Sequence, residues 1–232
     1  MIEFGHGTHP GMARSRNEDT YYADPALGLF LVLDGMGGHR HGELASASVR
    51  DGVVERVTRG QSLLSALTAA NDELLMHTRN LPHARPMGST VAAVRLTDGG
   101  WEAAWVGDSR IYVDDGELCR LVHDGKLAEA LAEKGEWPES RDTVAPRGVM
   151  NQALGVTGNE QLYVQMCRGT WHQGMRLLLC TDGLTEIVDD AKLQAIGTRT
   201  ELGAQEAVEQ MILAALDGGA RDNVTAILVR HG

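Results

Sequence analysis

Four aspartates stand at the mouths of segments too apolar to lie anywhere but inside a protein. Asp34 ends the run Leu29-Phe30-Leu31-Val32-Leu33, Asp108 follows Ala103-Ala104-Trp105-Val106-Gly107, and Asp182 follows Leu177-Leu178-Leu179-Cys180-Thr181. Asp222, with Asn223 behind it, opens Val224-Thr225-Ala226-Ile227-Leu228-Val229. Short continuous apolar runs of this kind read as buried strands, so the fold must place a carboxylate at each of several strand ends. Asp-Gly occurs seven times in the chain and is a common turn former, so any one of these dipeptides is explained by a turn. Four acids at buried strand ends are not explained that way. A buried, unpaired carboxylate costs several kcal/mol, and a cluster of them needs cations or must hold protons.

The charge balance narrows the chemistry. A net charge of -11 argues against nucleic acid and membrane surfaces as partners, because both are bound through basic patches. An acidic chain can still handle phosphate if bound cations reverse the local sign. The basic residues near the acids are too few for that, whereas hard divalent cations suffice. All-oxygen ligands favour magnesium, manganese or calcium over zinc. Two such ions about 3.5–4 Å apart share a water, lower its pKa and hold a phosphoryl group in line. The pattern of acids therefore points to a multi-metal hydrolase.

A chain of 232 residues, 43% hydrophobic and 23% charged, suits one domain or one domain with a small inserted subdomain. No apolar run approaches the ~20 residues of a membrane span, and the N-terminus has no secretory pattern, so a cytoplasmic location is expected. Nothing points to an oligomer, and a monomer is expected. Cys119, Cys167 and Cys180 form no CxxC pair, so neither a disulfide framework nor a zinc ribbon is indicated.

Periodicity predicts helices over about 43–58, 62–79, 126–134 and 203–216. Strands are predicted over 29–33, Ser89–Leu96, Trp101–Val106, Arg110–Val113, Leu118–Val122, 161–167, 175–181 and Val224–Val229. Asp98-Gly99-Gly100 and Asp114-Asp115-Gly116 read as hairpin turns. The stretch 135–150 shows no period and reads as a loop or flap. Strands in meandering groups with helices in pairs predict an α+β layered fold.

The residues then resemble a known family. Gly11-Met12-Ala13-Arg14-Ser15-Arg16-Asn17-Glu18-Asp19 is similar to the opening motif of the metal-dependent PP2C-type (PPM) protein phosphatases. Asp34-Gly35-Met36-Gly37-Gly38-His39, followed by Gly42-Glu43, resembles the second motif of bacterial members. Met87-Gly88-Ser89-Thr90, Val106-Gly107-Asp108-Ser109-Arg110, Gln152-Ala153-Leu154-Gly155, Thr181-Asp182-Gly183-Leu184-Thr185-Glu186 and Asp222-Asn223-Val224-Thr225 follow in the family's order.

The resemblance implies an α+β, four-layer α-β-β-α sandwich: two antiparallel sheets flanked by helix pairs, plus a small flap at roughly 124–155. The whole of 1–232 forms one catalytic domain on this reading, with metals in the cleft between the sheets. It implies a protein serine/threonine phosphatase with two manganese or magnesium ions and a third, weaker metal. Carried over from the family by position, Asp34 would bridge two metals and the Gly35 carbonyl would bind the second; Asp182 and Asp222 would complete the first. Asp108, with Asp182, would take the third. Glu18 and Asp19 would contact the second metal or its waters, Arg14 would grip the substrate phosphate, and Asn223 would steady the loop beside Asp222. The implied reaction is direct attack of a metal-activated water on phosphorus, without a covalent enzyme intermediate. The implied partners are phosphorylated proteins and a cognate bacterial Ser/Thr kinase, with type VI secretion as one such setting.

Some residues depart from the family pattern. Met36 stands where many eukaryotic members carry a histidine that protonates the leaving group, which leaves a metal-bound water as first choice of donor and His39 as a weaker one. Gly125 replaces a usual histidine after Asp124. Trp137 and Arg147 in the flap admit packing or substrate contact alike. Rival phosphatase chemistries fail on the sequence: no cysteine has arginine six positions later, no Asp-x-Asp occurs, and neither a Walker loop nor His-Glu-x-x-His is present. A phosphatase acting in a sigma-factor partner switch is disfavoured by the full Arg-x-x-Asn-Glu-Asp opening. A catalytically weak pseudophosphatase acting as an adaptor is disfavoured by the presence of Asp34, Asp182 and Asp222.

Overall fold

The computed structural model describes residues 1–37, 41–80, 86–121 and 152–232. Two antiparallel sheets are stacked face to face. The first contains β1 (Ile2–His9), β11 (Val224–His231), β10 (Arg176–Cys180), β7 (Arg110–Asp114) and β8 (Leu118–Arg120), in that spatial order. The second runs β2 (Asp19–Asp24), β3 (Leu29–Met36), β5 (Val91–Thr97), β6 (Gly100–Val106) and β9 (Gln165–Thr170), with β4 (Gly88–Ser89) paired to the end of β3. Helices α1 (His41–Thr58) and α2 (Leu63–Asn80) cover the second sheet; α3 (Asp182–Thr185), α4 (Asp190–Gly197) and α5 (Ala204–Asp217) cover the first.

Strand alternation divides the apolar side chains among three cores. Along β3, Leu29, Leu31 and Leu33 face α1 and α2, whereas Phe30 and Val32 face the opposite sheet. Along β10, Leu178 and Cys180 face the helices and Leu177 and Leu179 face the other sheet. Strands buried on both faces lose the polar–apolar alternation of an exposed sheet, which is why these runs are continuously apolar. The result is the expected α-β-β-α layering. No helix among the described residues is long and apolar enough to cross a membrane.

Both expected hairpin turns form, with Gly99 and Gly116 in the left-handed region at φ 80° and 95°. Elsewhere the structure adds to the sequence reading or shifts it. Strands β1 and β2 precede the first predicted strand. Gly5 and Gly7 disguise β1, since glycine is depleted in strands; here it is required. A Cβ on Gly5 would lie 2.4 Å from the Ala204 backbone, and one on Gly7 2.6 Å from Ile212 Cδ1, so α5 packs directly on the strand. Helix α4 was not expected; Asp189 caps it by accepting from the Lys192 N–H at 2.8 Å. Strand β9 begins at Gln165 rather than at 161, because the preceding backbone is tied to α2. Buried Asn71 accepts from the Gly155 N–H at 2.7 Å and donates to the Thr157 carbonyl at 3.0 Å. The predicted helix 126–134, the flap over 135–150, and Asp124, Gly125, Trp137 and Arg147 lie outside the described residues, as does His39.

Candidate metal centre

The alternation that sorts the apolar side chains also aims the acids. Asp34 continues the phase of Phe30 and Val32, so its side chain emerges between the sheets at the cleft mouth. Asp19 on β2 is its direct cross-strand partner. Burial holds the Asp34 carboxyl far above the ordinary carboxylate range, and the charges of Asp19, Asp182, Asp222 and Asp108 raise it further. Asp182, at the start of α3, is pushed up to about 6 by burial first, then by Asp108, Glu186 and Asp222. Asp19 is 8% exposed and is also raised, chiefly by burial, with Asp182 and Asp222 adding to the effect. Residues from four distant chain segments thus share one electrostatic environment.

The glycines of these motifs exist to let backbones meet. A Cβ on Gly35 would lie 2.1 Å from the Gly42 carbonyl oxygen, and one on Gly183 would lie 2.0 Å from that of Asn223. Gly42, in the first turn of α1, has the Glu18 carboxylate 2.6 Å from the place of its missing Cβ and the Gly35 carbonyl 2.7 Å away. Gly11, at φ 76°, lies against the Asp222 carbonyl, 2.1 Å from its Cβ position. These approaches bring the 10–18 segment and the start of β11 together at the cleft.

Asn223 fastens that junction. Its side-chain oxygen accepts from the Glu18 N–H at 2.7 Å, and its amide donates to the carbonyls of Pro10 at 3.0 Å and Arg16 at 2.9 Å. Asn223 thereby holds the whole segment that carries Arg14 and Glu18, as well as the loop beside Asp222. Arg14 donates to Asp222 Oδ2 at 2.6 Å, with 56% of its side chain exposed. An ion pair this exposed is worth at most about 1 kcal/mol, so Arg14 can leave Asp222 for another anion at little cost. Met36 is half-exposed at the rim, and its thioether carries no proton to donate.

Two buried carboxylate oxygens, Glu18 Oε1 and Asp19 Oδ1, have no hydrogen-bond partner. Orphaned buried acceptors of this kind call for a ligand. With the expected ligands Asp34, Asp108, Asp182, Asp222 and the Gly35 carbonyl they would make an all-oxygen donor set, of the kind that suits magnesium or manganese. Among the described residues no three His, Cys, Asp or Glu groups converge into a ready-made cage. Magnesium, which keeps several of its waters, does not require an all-protein cage. The buried thiols of Cys167 and Cys180 are raised to about 12 by burial, so neither supplies a thiolate nucleophile near neutral pH.

The raised acids make a pH prediction. A carboxyl whose folded pKa exceeds its unfolded value of about 3.9 contributes most stability below that value and loses it as pH rises through the folded one. For Asp182 the window is about pH 4 to 6, and Asp34 extends it upward. In chelator, the melting temperature should fall between pH 5 and pH 8, and fall less in Asp34→Asn. Thermal unfolding across that range checks it; identical pH slopes in the two proteins would remove the strained-cluster account.

The sequence reading overlooked a set of hydroxyls beneath the acids. Thr181 and Thr225 both donate to Asp19 Oδ2, at 2.8 and 2.7 Å, and Thr90 and Ser109 bond each other at 2.7 Å. The available signal was phase: Leu177-x-Leu179-x-Thr181 and Thr225-x-Ile227-x-Val229 each place threonine on the inter-sheet face.

Comparisons with known proteins agree with this geometry. A family model described as Protein phosphatase 2C matches residues 7–217. The chain is 32% identical over 236 residues to the Mycobacterium tuberculosis protein named Serine/threonine protein phosphatase PstP, covering 98% of this chain and 45% of that one. It thus spans less than half of that relative. The fold superposes with a TM-score of 0.79 on the catalytic domain of PstP solved in complex with 2 manganese ions, at 27% identity, covering 99% of this chain and 97% of that one. It superposes with a TM-score of 0.77 on PppA, a key regulatory component of T6SS in Pseudomonas aeruginosa, at 27% identity and with 99% and 97% covered.

Proposed function

The chain belongs to the protein phosphatase 2C family, and we propose that it removes phosphate from phosphoserine and phosphothreonine side chains of other proteins by metal-dependent hydrolysis. The observation that carries this reading is that Asp19, Asp34 and Asp182 are each held above the ordinary carboxylate range by burial and by the charges of nearby acids, with Asp222 acting on all three.

Asp34, the Gly35 carbonyl, Asp182 and Asp222 would hold two manganese or magnesium ions, with Glu18 and Asp19 reaching the second or its waters. Asp108, beside Asp182, would serve a weaker third site. Bound there, the ions lower the pKa of water and offset charge on the phosphoryl oxygens. The protein's own work is positional. Arg14, released from Asp222, binds two phosphate oxygens through its planar guanidinium and orients the group. Asn223 keeps the Arg14 segment seated against β11. The apolar layer between the sheets and the hydroxyls above it close the cleft from below.

Arg14→Ala should lower kcat/KM for a phosphothreonine peptide about 10- to 100-fold, the worth of a hydrogen bond to a charged group. The loss should appear mostly in KM, with Arg14→Lys intermediate. Unchanged steady-state constants in Arg14→Ala would remove Arg14 from the phosphate site.

The likeness to PppA supports a setting in type VI secretion control; the catalytic domain is proposed to act there in the cytoplasm, as a monomer, opposing a bacterial Ser/Thr kinase. The test of the function itself is release of inorganic phosphate from a phosphothreonine peptide with manganese or magnesium present. Turnover supports the enzyme. Tight phosphopeptide binding by a folded protein without turnover would replace it with the adaptor reading.

A further inference from the structure

The cleft between the sheets is layered. Its floor is apolar, built from Phe30, Val32, Ala92, Leu177, Leu179 and Ile227. One strand position further toward the mouth, on the same inward phase, stand hydroxyls: Thr90 above Ala92, Thr181 above Leu179, and Thr225 above Ile227. The carboxylates come next. Buried Thr181 and Thr225, both 0% exposed, belong to the sheet opposite Asp19, so their hydrogen bonds cross from one sheet to the other.

The donor directions in this layer are fixed by proton count. Thr225 has one hydroxyl proton and gives it to Asp19 Oδ2 at 2.7 Å. The 2.8 Å contact between Thr8 and Thr225 must then be donated by Thr8, which in turn accepts from the Asn17 amide at 2.7 Å. Thr181 gives its proton to the same Oδ2 at 2.8 Å and accepts from the Thr225 N–H at 3.0 Å. Every donor in the chain points toward one oxygen. Asp19 Oδ2 accepts two hydrogen bonds, while Asp19 Oδ1, also buried, accepts none.

The structure assigns Thr181 and Thr225 as positioning residues of the metal centre: by saturating Asp19 Oδ2 they fix the carboxylate's rotation and reserve Oδ1 for a metal ion or its waters. This inference rests on the metal-centre reading above and adds residues outside its ligand set. Groups that orient a metal's ligands commonly matter about 10- to 100-fold in metal affinity. Thr225 is the cleaner probe: its loss takes an acceptor from the rotatable Thr8 hydroxyl, whereas removing the Thr181 hydroxyl takes one from the fixed backbone N–H of Thr225.

Manganese titrated calorimetrically into the metal-free protein tests it. Thr225→Val, which keeps the shape and loses the donor, should bind manganese about 10- to 100-fold more weakly than wild type. Thr225→Ser should restore most of the affinity, and Thr8→Val, one bond further from Asp19, should weaken it less. Circular dichroism establishes folding; should Thr225→Val not fold, Thr225→Ala carries the same expectation. Wild-type affinity in a folded Val or Ala variant, or failure of Ser to restore binding, would overturn the assignment alone. A wild-type protein that binds no manganese would overturn the metal-centre reading and this inference with it.

Discussion

Asp34→Asn is expected to lower manganese-dependent hydrolysis of a phosphothreonine peptide by about a thousandfold or more, the equivalent of about 4 kcal/mol of transition-state stabilisation. The expectation follows from where Asp34 sits. It is the acid whose proton affinity is raised by all four of Asp19, Asp182, Asp222 and Asp108, so it stands at the centre of the cluster. An amide keeps the size of the carboxyl and one acceptor, but it removes the negative charge that cations would neutralise. Stability should move the other way: without metal, Asp34→Asn removes the cost of holding Asp34 protonated at a pH where the unfolded chain releases its proton, so the variant should melt no lower than wild type at pH 8. Loss of activity in a protein at least as stable separates a catalytic role from a structural one. Retention of activity within tenfold would place the metals elsewhere.

Gly35→Ala should destabilise the metal-free protein by about 3 kcal/mol, the upper part of the range for overpacking. The added Cβ would meet the Gly42 carbonyl oxygen at 2.1 Å and the Glu18 carbonyl oxygen at 2.7 Å. Both are backbone atoms and cannot swing aside. The strand end must shift relative to α1 and β2, and that shift also displaces the Gly35 carbonyl and Glu18. Manganese affinity should therefore fall together with the urea midpoint. Gly116→Ala provides the contrast: Gly116 has φ 95° but nothing within 4 Å of its Cβ position, so only the left-handed backbone is penalised, by about 1 kcal/mol. Equal midpoints for the two variants would mean that β3 and α1 are not seated as closely as the structure has them.

The acids were legible in the sequence because they interrupt long apolar runs, and a charge at the edge of a buried strand has few explanations. The paired helices and hairpins were legible for similar reasons, through periodicity and turn chemistry. Strand β1 was not, because Gly5 and Gly7 lack the side chains that mark a strand, and the reason for them lies about 200 residues away in α5. The start of β9 was misjudged because Asn71 on α2 claims the backbone of 155–157, a tether that local pattern does not reveal. The hydroxyls under Asp19 were missed for a different reason. Threonine suits a strand without further cause, and only the opposite sheet shows that Thr181 and Thr225 aim at a common oxygen. The ion pair of Arg14 with Asp222 was likewise invisible, since it joins residues 208 positions apart.

Metal dependence of phosphate release tests the central claim most directly. The protein is stripped with EDTA, assayed on a phosphothreonine peptide, and assayed again after manganese or magnesium is restored, with Asp182→Asn carried alongside. The account predicts no turnover in chelator, recovery with added metal, and no recovery in the variant. Turnover that persists in chelator, or that Asp182→Asn leaves intact, would contradict it.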